Sequence, residues 1–460
     1  MLWIVALLLS LAAGWLLAGA AVSSSRMVRA GLAIMFGPAV SSLMYWMLVA
    51  VGLVNAGVVI GALAALTALS YVVARRFPLE AKVEPGDEGT FPYTWAVAVA
   101  AGLACIFFLL NFFSSVEANP HGEWDAAAIY NLRAKLLTQP DTWRRAISAE
   151  PGSYVLTSSH PGYPLFLSSF VAMLWSADGS FTQAAPQAVS LLMCVGLLML
   201  LAGSLWSRRS AALALLAAVI LLSTDTFSLQ ASAQYSDVAL GVAFLAALVL
   251  MYEAWSRQSG AVWCFAGLAL GFAPWIKNEG WPFALAGLAA AAMIAGRSVV
   301  WVAAGAAPGL LATMILKLLS EGRESMTPAS FGQAMNSLMS SGRWADTLMG
   351  LGKMLVDVGS LWAHPILLAA VVTAVLKLQP RENLRLLLWL GVPVWMTMAV
   401  EFGVYLVAQT DLNWHIPTSA PRLFLQLWGC VLWLIFMAVR SPEVRMPIVA
   451  AEPVKKKKRK

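Results

Sequence analysis

The stretch Glu123-Trp124-Asp125-Ala126-Ala127-Ala128-Ile129-Tyr130-Asn131-Leu132-Arg133-Ala134-Lys135 puts two carboxylates and two cations into the longest polar interval of an otherwise apolar chain. Asp125, Ile129, Leu132 and Leu136 recur at helical spacing. That pattern predicts an amphipathic helix lying along a membrane surface with its charges in water. The residues before the stretch read as anchoring, and those after it as the walls of a pocket.

Around this stretch the chain runs to 460 residues, 60% hydrophobic and only 12% charged, with a mean hydropathy of +0.75. Soluble domains carry roughly a quarter charged residues, so half of the usual polar surface is missing. With many apolar runs long enough to cross hydrocarbon, this predicts an all-α fold, a polytopic transmembrane helix bundle. The 20 Trp residues suit it, because indole rings favour the two water–lipid boundaries. Much of the net charge of +7 is the terminal run Lys455-Lys456-Lys457-Lys458-Arg459-Lys460. It reads as a basic anchor drawn to anionic membrane lipids, with no nucleic-acid partner implied. Cys105, Cys194, Cys264 and Cys430 sit in apolar runs without paired spacing, as small core residues.

Residues 2–22 read as an uncleaved first span, followed by 30–50, 53–74 and, after the Arg75-Arg76 linker, 94–114. The arginine pairs put 23–29 and 75–93 in the cytoplasm and 115–185 outside. The short apolar piece at 161–176 is read as re-entrant, since a crossing there would send Arg208, Arg209, Arg257 and Arg297 outside. Spans at 186–206, 210–225, 237–255, 261–276, 281–296, 298–319, 360–378, 385–408 and 422–440 bring the expected total to about thirteen. Outer loops at 226–236, 277–280 and 409–421 then join the acidic segment. In the outer loop 320–359, Trp344, Leu348, Leu351 and Leu355 predict a second interfacial helix, with Arg343, Asp346, Lys353 and Asp357 on its far side. The organisation is therefore 1–93 anchoring spans and linker, 94–440 functional bundle, and 441–460 basic tail.

Acids, bases and cations crowding one boundary predict a site for a charged, lipid-linked substrate. Asp125 and Asp237 are the candidate acids, though each also suits a helix start, where a carboxylate caps free N–H groups. Lys277-Asn278-Glu279-Gly280 is a tight turn between Pro274 and Pro282, which would hold an ammonium for a phosphate or simply pair Lys277 with Glu279. Arg422, Arg133 and Lys135 are further phosphate candidates, with snorkelling as the plainer account of each. His160, Tyr163, Glu279 and His415 are expected around the substrate pocket. The histidines lack zinc spacing.

The segments EWDAAAIYNLRAKLL, HPGYPLF, AQYSDVALG, WIKNEGWPF and HIPTSAPRLFLQLW, in that order, resemble the bacterial branch of the GT-C membrane glycosyltransferases. They are similar to protein O-mannosyltransferases and to the enzyme that adds aminoarabinose to lipid A, over roughly 94–440. The resemblance implies a polyprenyl-phosphate sugar as donor and a lipid, glycan or protein hydroxyl as acceptor. It also implies transfer on the extracytoplasmic face, in a bacterial inner membrane, and with Asp125 as the base for the acceptor hydroxyl the sugar carbon is expected to invert. It matches Asp125 to the acidic residue of the first outer loop, Asp237 to the one opening the span after the second, and Lys277 and Arg422 to phosphate ligands. Trp124 separates Glu123 from Asp125 where protein mannosyltransferases have adjacent acids. If a divalent cation (Mg2+ or Mn2+) takes part, Glu123 and Asp125 would hold it. A lipid-linked sugar flippase and a non-catalytic assembly subunit are the competing classes.

Overall fold

The computed structural model describes residues 1–22, 25–77, 91–148, 160–320, 330–359 and 364–445. Most of the 75–93 linker and the Lys455–Lys460 run fall outside them. The described residues are helical, with one isolated backbone bridge, Leu378 to Val439.

Nine segments among the described residues are long and apolar enough to cross a membrane, or ten if a bent pair counts as one span. The expected count of about thirteen is not met on that measure, because an apolar run does not by itself fix the length of its helix. Gly260–Ile276 and Pro365–Leu376 are short apolar helices, and Ala211–Leu222 bends by 67° into Asp225–Ser232. One of the nine, Gly280–Leu319, is 40 residues long. At 1.5 Å per residue that is about 60 Å, twice the hydrocarbon thickness. It folds back at Gly296, whose φ is +55°. The helices on either side of the fold are Gly280–Ala295 and Val299–Leu319.

Glycine spacing fixes how these helices pack. Gly267 and Gly271 lie against Val302 and Ala306, while Gly305 and Gly309 lie against Cys264 and Gly271. The matching order makes Gly260–Ile276 and Val299–Leu319 parallel. A Cβ at any of the four positions would overlap the facing backbone, so two small-xxx-small pairs permit the close approach.

The Asp237–Arg257 helix occupies the centre and is the most enclosed of the spans. It packs against Arg26–Ala50, Ala184–Arg208, Gly260–Ile276 and the last helix, Leu412–Ala438. A Cβ at Gly241 would stand 3.2 Å from the Gln426 carbonyl. That contact brings the start of the central helix beside Arg422 and Gln426.

Phe166–Asp178 has 13 residues, almost all buried. It packs against the first three helices and Asn131–Leu137, enclosed by protein. The 320–359 loop forms Phe331–Met339 and Ser341–Asp357. The bundle is met by Thr347, Gly350, Leu351 and Met354 and by Trp344, whose ring lies 5.7 Å from that of Phe402, whereas Leu348 and Leu355 of the expected apolar stripe are exposed. Asp346, Lys353 and Asp357 do not simply face water. With Thr226 and the Leu412–Pro421 turns they line a cavity of about 500 Å3.

Candidate active site

The acidic segment forms a π-turn, Ala126–Tyr130, continued by the helix Asn131–Leu137. Such turns add a residue to the helical repeat and re-aim the side chains around it. Asp125 makes no capping hydrogen bond. The segment is instead clamped onto residues 233–236. Glu123 N–H donates to the Ala233 carbonyl at 3.1 Å. Asp125 N–H donates to the Tyr235 hydroxyl at 3.2 Å, and the Tyr130 and Ser236 hydroxyls are 2.6 Å apart. The Asn131 amide donates to Gln234 Oε1 at 3.2 Å. Gly122 makes the approach possible: its φ is +73°, and a Cβ there would stand 2.6 Å from the Ala233 oxygen.

Asp125 thereby joins a chain of charges drawn from four separate segments. Asp125 Oδ2 lies 2.7 Å from Arg422 Nη1. Arg422 donates from Nη2 and Nε to Asp237 Oδ2 at 3.0 and 3.2 Å. Asp237 Oδ1 accepts from Lys277 Nζ at 2.8 Å and from the Gln426 amide at 2.6 Å. Lys277 Nζ is also 2.8 Å from Glu279 Oε1. The Arg422 guanidinium lies over the Tyr235 ring, 4.4 Å from its centroid. These distances put the first loop, the start of the central helix, the 277–280 turn and the last helix at one end of the bundle. At the other end Arg208 and Arg257 both bridge Glu253.

Burial alone would draw the Lys277 ammonium down, but Asp237 and Glu279 outweigh it and hold it above its ordinary value. It is a fixed cation in an enclosed turn. Burial pushes the Tyr130 and Tyr235 phenols up to about 12, so both stay neutral donors and acceptors near pH 7. Asp237 is fully buried, with Arg422, Lys277 and Gln426 as its partners. It orients the two cations, while Asp125 and Glu279 keep part of their surface open.

Other expected site residues are not members of this chain of ion pairs, although Tyr163 has Glu279, Lys277 and Asp125 as charged neighbours. Glu123 is exposed and accepts from the Asn119 amide at 3.1 Å. Lys135 is exposed beside a smaller cavity, 5.7 Å from the Phe181 ring centroid. His160 stacks on Tyr163 at 4.8 Å, and the Tyr163 carbonyl receives Arg133. His415 is buried against Tyr405.

Arg133, expected at phosphate, is wholly buried. It donates to the Ala146, Tyr163 and Pro161 carbonyls at 2.7, 2.8 and 3.4 Å. Burial lowers its guanidinium to about 10, so it remains charged near pH 7. Its place is that of a tie between the Asn131–Leu137 helix and the backbone at Ala146, Pro161 and Tyr163. Arg133→Met is expected to lose about 1–3 kcal/mol of stability, read by thermal unfolding, with donor affinity retained. Weakened donor binding at unchanged stability would return Arg133 to the phosphate.

The family described as Dolichyl-phosphate-mannose-protein mannosyltransferase matches residues 159–320. The match covers about a third of the chain and says what that stretch is similar to. It contains His160, Tyr163, Asp237, Lys277 and Glu279, while Asp125 and Arg422 lie outside it and reach it through the contacts above. No curated protein and no solved structure matches the chain.

The acids expected to hold a divalent cation do not gather as a ligand set. Glu123 and Asp125 turn to different partners, Asn119 and Arg422. Among the described residues no three His, Cys, Asp or Glu side chains gather as metal ligands.

Tyr235, Gln426 and Glu401 are not among the expected site residues, although the sequence carries a signal for each. Gln426 comes four residues after Arg422, so it shares a helix face with a candidate cation. Tyr235 precedes Asp237 by two. Glu401 is a lone carboxylate inside an apolar run, a signal of function in its own right.

Proposed function

We propose that this protein is an inverting glycosyltransferase that moves a sugar from a polyprenyl phosphate to a hydroxyl acceptor on the extracytoplasmic face of a bacterial inner membrane. One observation carries the reading: the chain Asp125–Arg422–Asp237–Lys277–Glu279, in which two fixed cations stand beside a part-exposed carboxylate. The family match over 159–320 supports it, as does the arginine-rich opposite end, which favours the cytoplasmic side.

The residues suit the chemistry. The acceptor oxygen forms a bond to the anomeric carbon as its proton passes to Asp125. The bond from that carbon to the phosphate oxygen breaks, and polyprenyl phosphate leaves with an added negative charge. Fixed cations stabilise such charge where it develops. An ammonium has three N–H donors and a guanidinium five. Lys277 spends two on carboxylates and Arg422 contacts carboxylates through three nitrogens, so N–H groups remain for phosphate oxygens. Phosphate binding at Arg422 would compete with its contact to Asp125, coupling donor arrival to release of the base.

The test is whether purified protein consumes a polyprenyl-phosphate sugar and yields a glycosylated hydroxyl product. Consumption must occur without movement of the lipid across a vesicle, which separates transfer from flipping. Lys277→Ala is expected to weaken donor binding by about one to two decades, the loss of a charge-assisted contact of about 1.5–3 kcal/mol. Unchanged donor affinity in folded protein would leave Lys277 as a structural ion pair.

A further inference from the structure

One carboxyl near the site has no part in the scheme above. Glu401 lies in the helix Arg381–Val407, six residues before its end. At 1.5 Å per residue that sets it about 9 Å below the helix end. Its Oε1 is buried and has no hydrogen-bond partner among the described residues. The helix packs along Gly280–Ala295, which springs from the Lys277–Glu279 turn, and Glu279, Lys277 and Asp237 are the charged neighbours of Glu401.

An unsatisfied carboxyl oxygen at membrane depth is costly, and such groups persist where a ligand completes them. The partner must donate hydrogen bonds. A phosphate is matched by the Lys277 and Arg422 cations, and a prenyl chain has nothing to donate. A sugar has hydroxyls, and the site that holds its phosphate is the neighbouring Lys277 turn.

We infer that Glu401 is a sugar-recognition residue, its carboxyl accepting hydrogen bonds from hydroxyls of the sugar carried on the polyprenyl phosphate. The inference rests on the proposed donor. It makes Glu401 a determinant of which sugar is chosen, separate from the cations that hold the phosphate. A site built to hydrogen-bond a substrate hydroxyl strongly rejects analogues that lack or misplace it.

The experiment uses the full chain in nanodiscs with bare polyprenyl phosphate and with polyprenyl-phosphate hexoses of gluco, manno and galacto configuration. The wild type should bind bare polyprenyl phosphate and prefer one hexose. Glu401→Leu should cut affinity for that hexose about two- to tenfold, the worth of a hydrogen bond, and flatten the preference. Binding of bare polyprenyl phosphate should be unchanged. Glu401→Gln, nearly isosteric, keeps the fold and should show the same flattening in weaker form. Preference retained in both variants overturns the inference while leaving the proposed donor standing. So does an equal loss of bare polyprenyl phosphate, which would make Glu401 a packing element. A wild type that binds neither lipid overturns the proposed function and this inference with it.

Discussion

Asp125→Asn is expected to lower turnover by about two to four decades while donor binding persists, the effect of removing a general base. The substitution is nearly isosteric, and Asn caps a helix about as well as Asp. Asp125 makes no capping bond, so little structural loss competes with the chemical one. Its ion pair with Arg422 is lost, yet Arg422 keeps Asp237, which bounds the disturbance. Steady-state transfer and donor binding on the same preparation check this. Full activity in Asp125→Asn would end the assignment as base. Glu123→Gln is the control: Glu123 is exposed and turned to Asn119, so near-normal transfer is expected from it. If Glu123→Gln alone abolishes transfer, the base is Glu123.

The largest effect on stability is expected from Asp237→Ala. Asp237 joins Lys277, Arg422 and Gln426 and is fully buried. Deleting one member of a buried charge group leaves the others uncompensated, typically at about 3–5 kcal/mol. Arg422 and Lys277 keep Asp125 and Glu279, which places the expectation toward the lower end of that range. Denaturant or thermal unfolding in detergent measures it. The combined Asp237→Leu, Lys277→Leu variant should be more stable than the sum of the single losses, because it removes a cation together with its partner. Additive losses would show that the two side chains do not act as a unit. Loss of transfer with unaltered stability would move Asp237 from orienting the cations to the chemistry itself.

Several of these residues are legible without any fold. In a chain with 12% charged residues, Asp125, Asp237, Lys277 and Arg422 stand out because a charge beside hydrocarbon must be accounted for. Their common end of the bundle is implied by where apolar runs begin and stop. Their neighbours are harder to place. Arg133 and Lys135, two residues apart, look alike as cations in one polar segment. On a helix they point roughly 200° apart, and one is buried under three carbonyls while the other is exposed. The stripe expected on Ser341–Asp357 is split, with Trp344 and Leu351 against the bundle and Leu348 and Leu355 exposed. Periodicity defines faces and does not say which one a neighbour covers.

By itself, then, the amino-acid sequence determined a helical membrane protein with its informative charges at one end, because hydropathy and charge act locally along the chain. Only the tertiary structure decided that Asp237 would be the buried hub between Arg422 and Lys277, and that Arg133 would be a tie. It also left Glu401 beside the site with an unmet carboxyl oxygen. The physical reason is range. A hydrogen bond requires its atoms within about 3 Å, and Asp237 and Arg422 are 185 positions apart in the chain. Which helices become neighbours is set by small-residue contacts such as Gly241 against Gln426, and these carry no mark in the local pattern of charge.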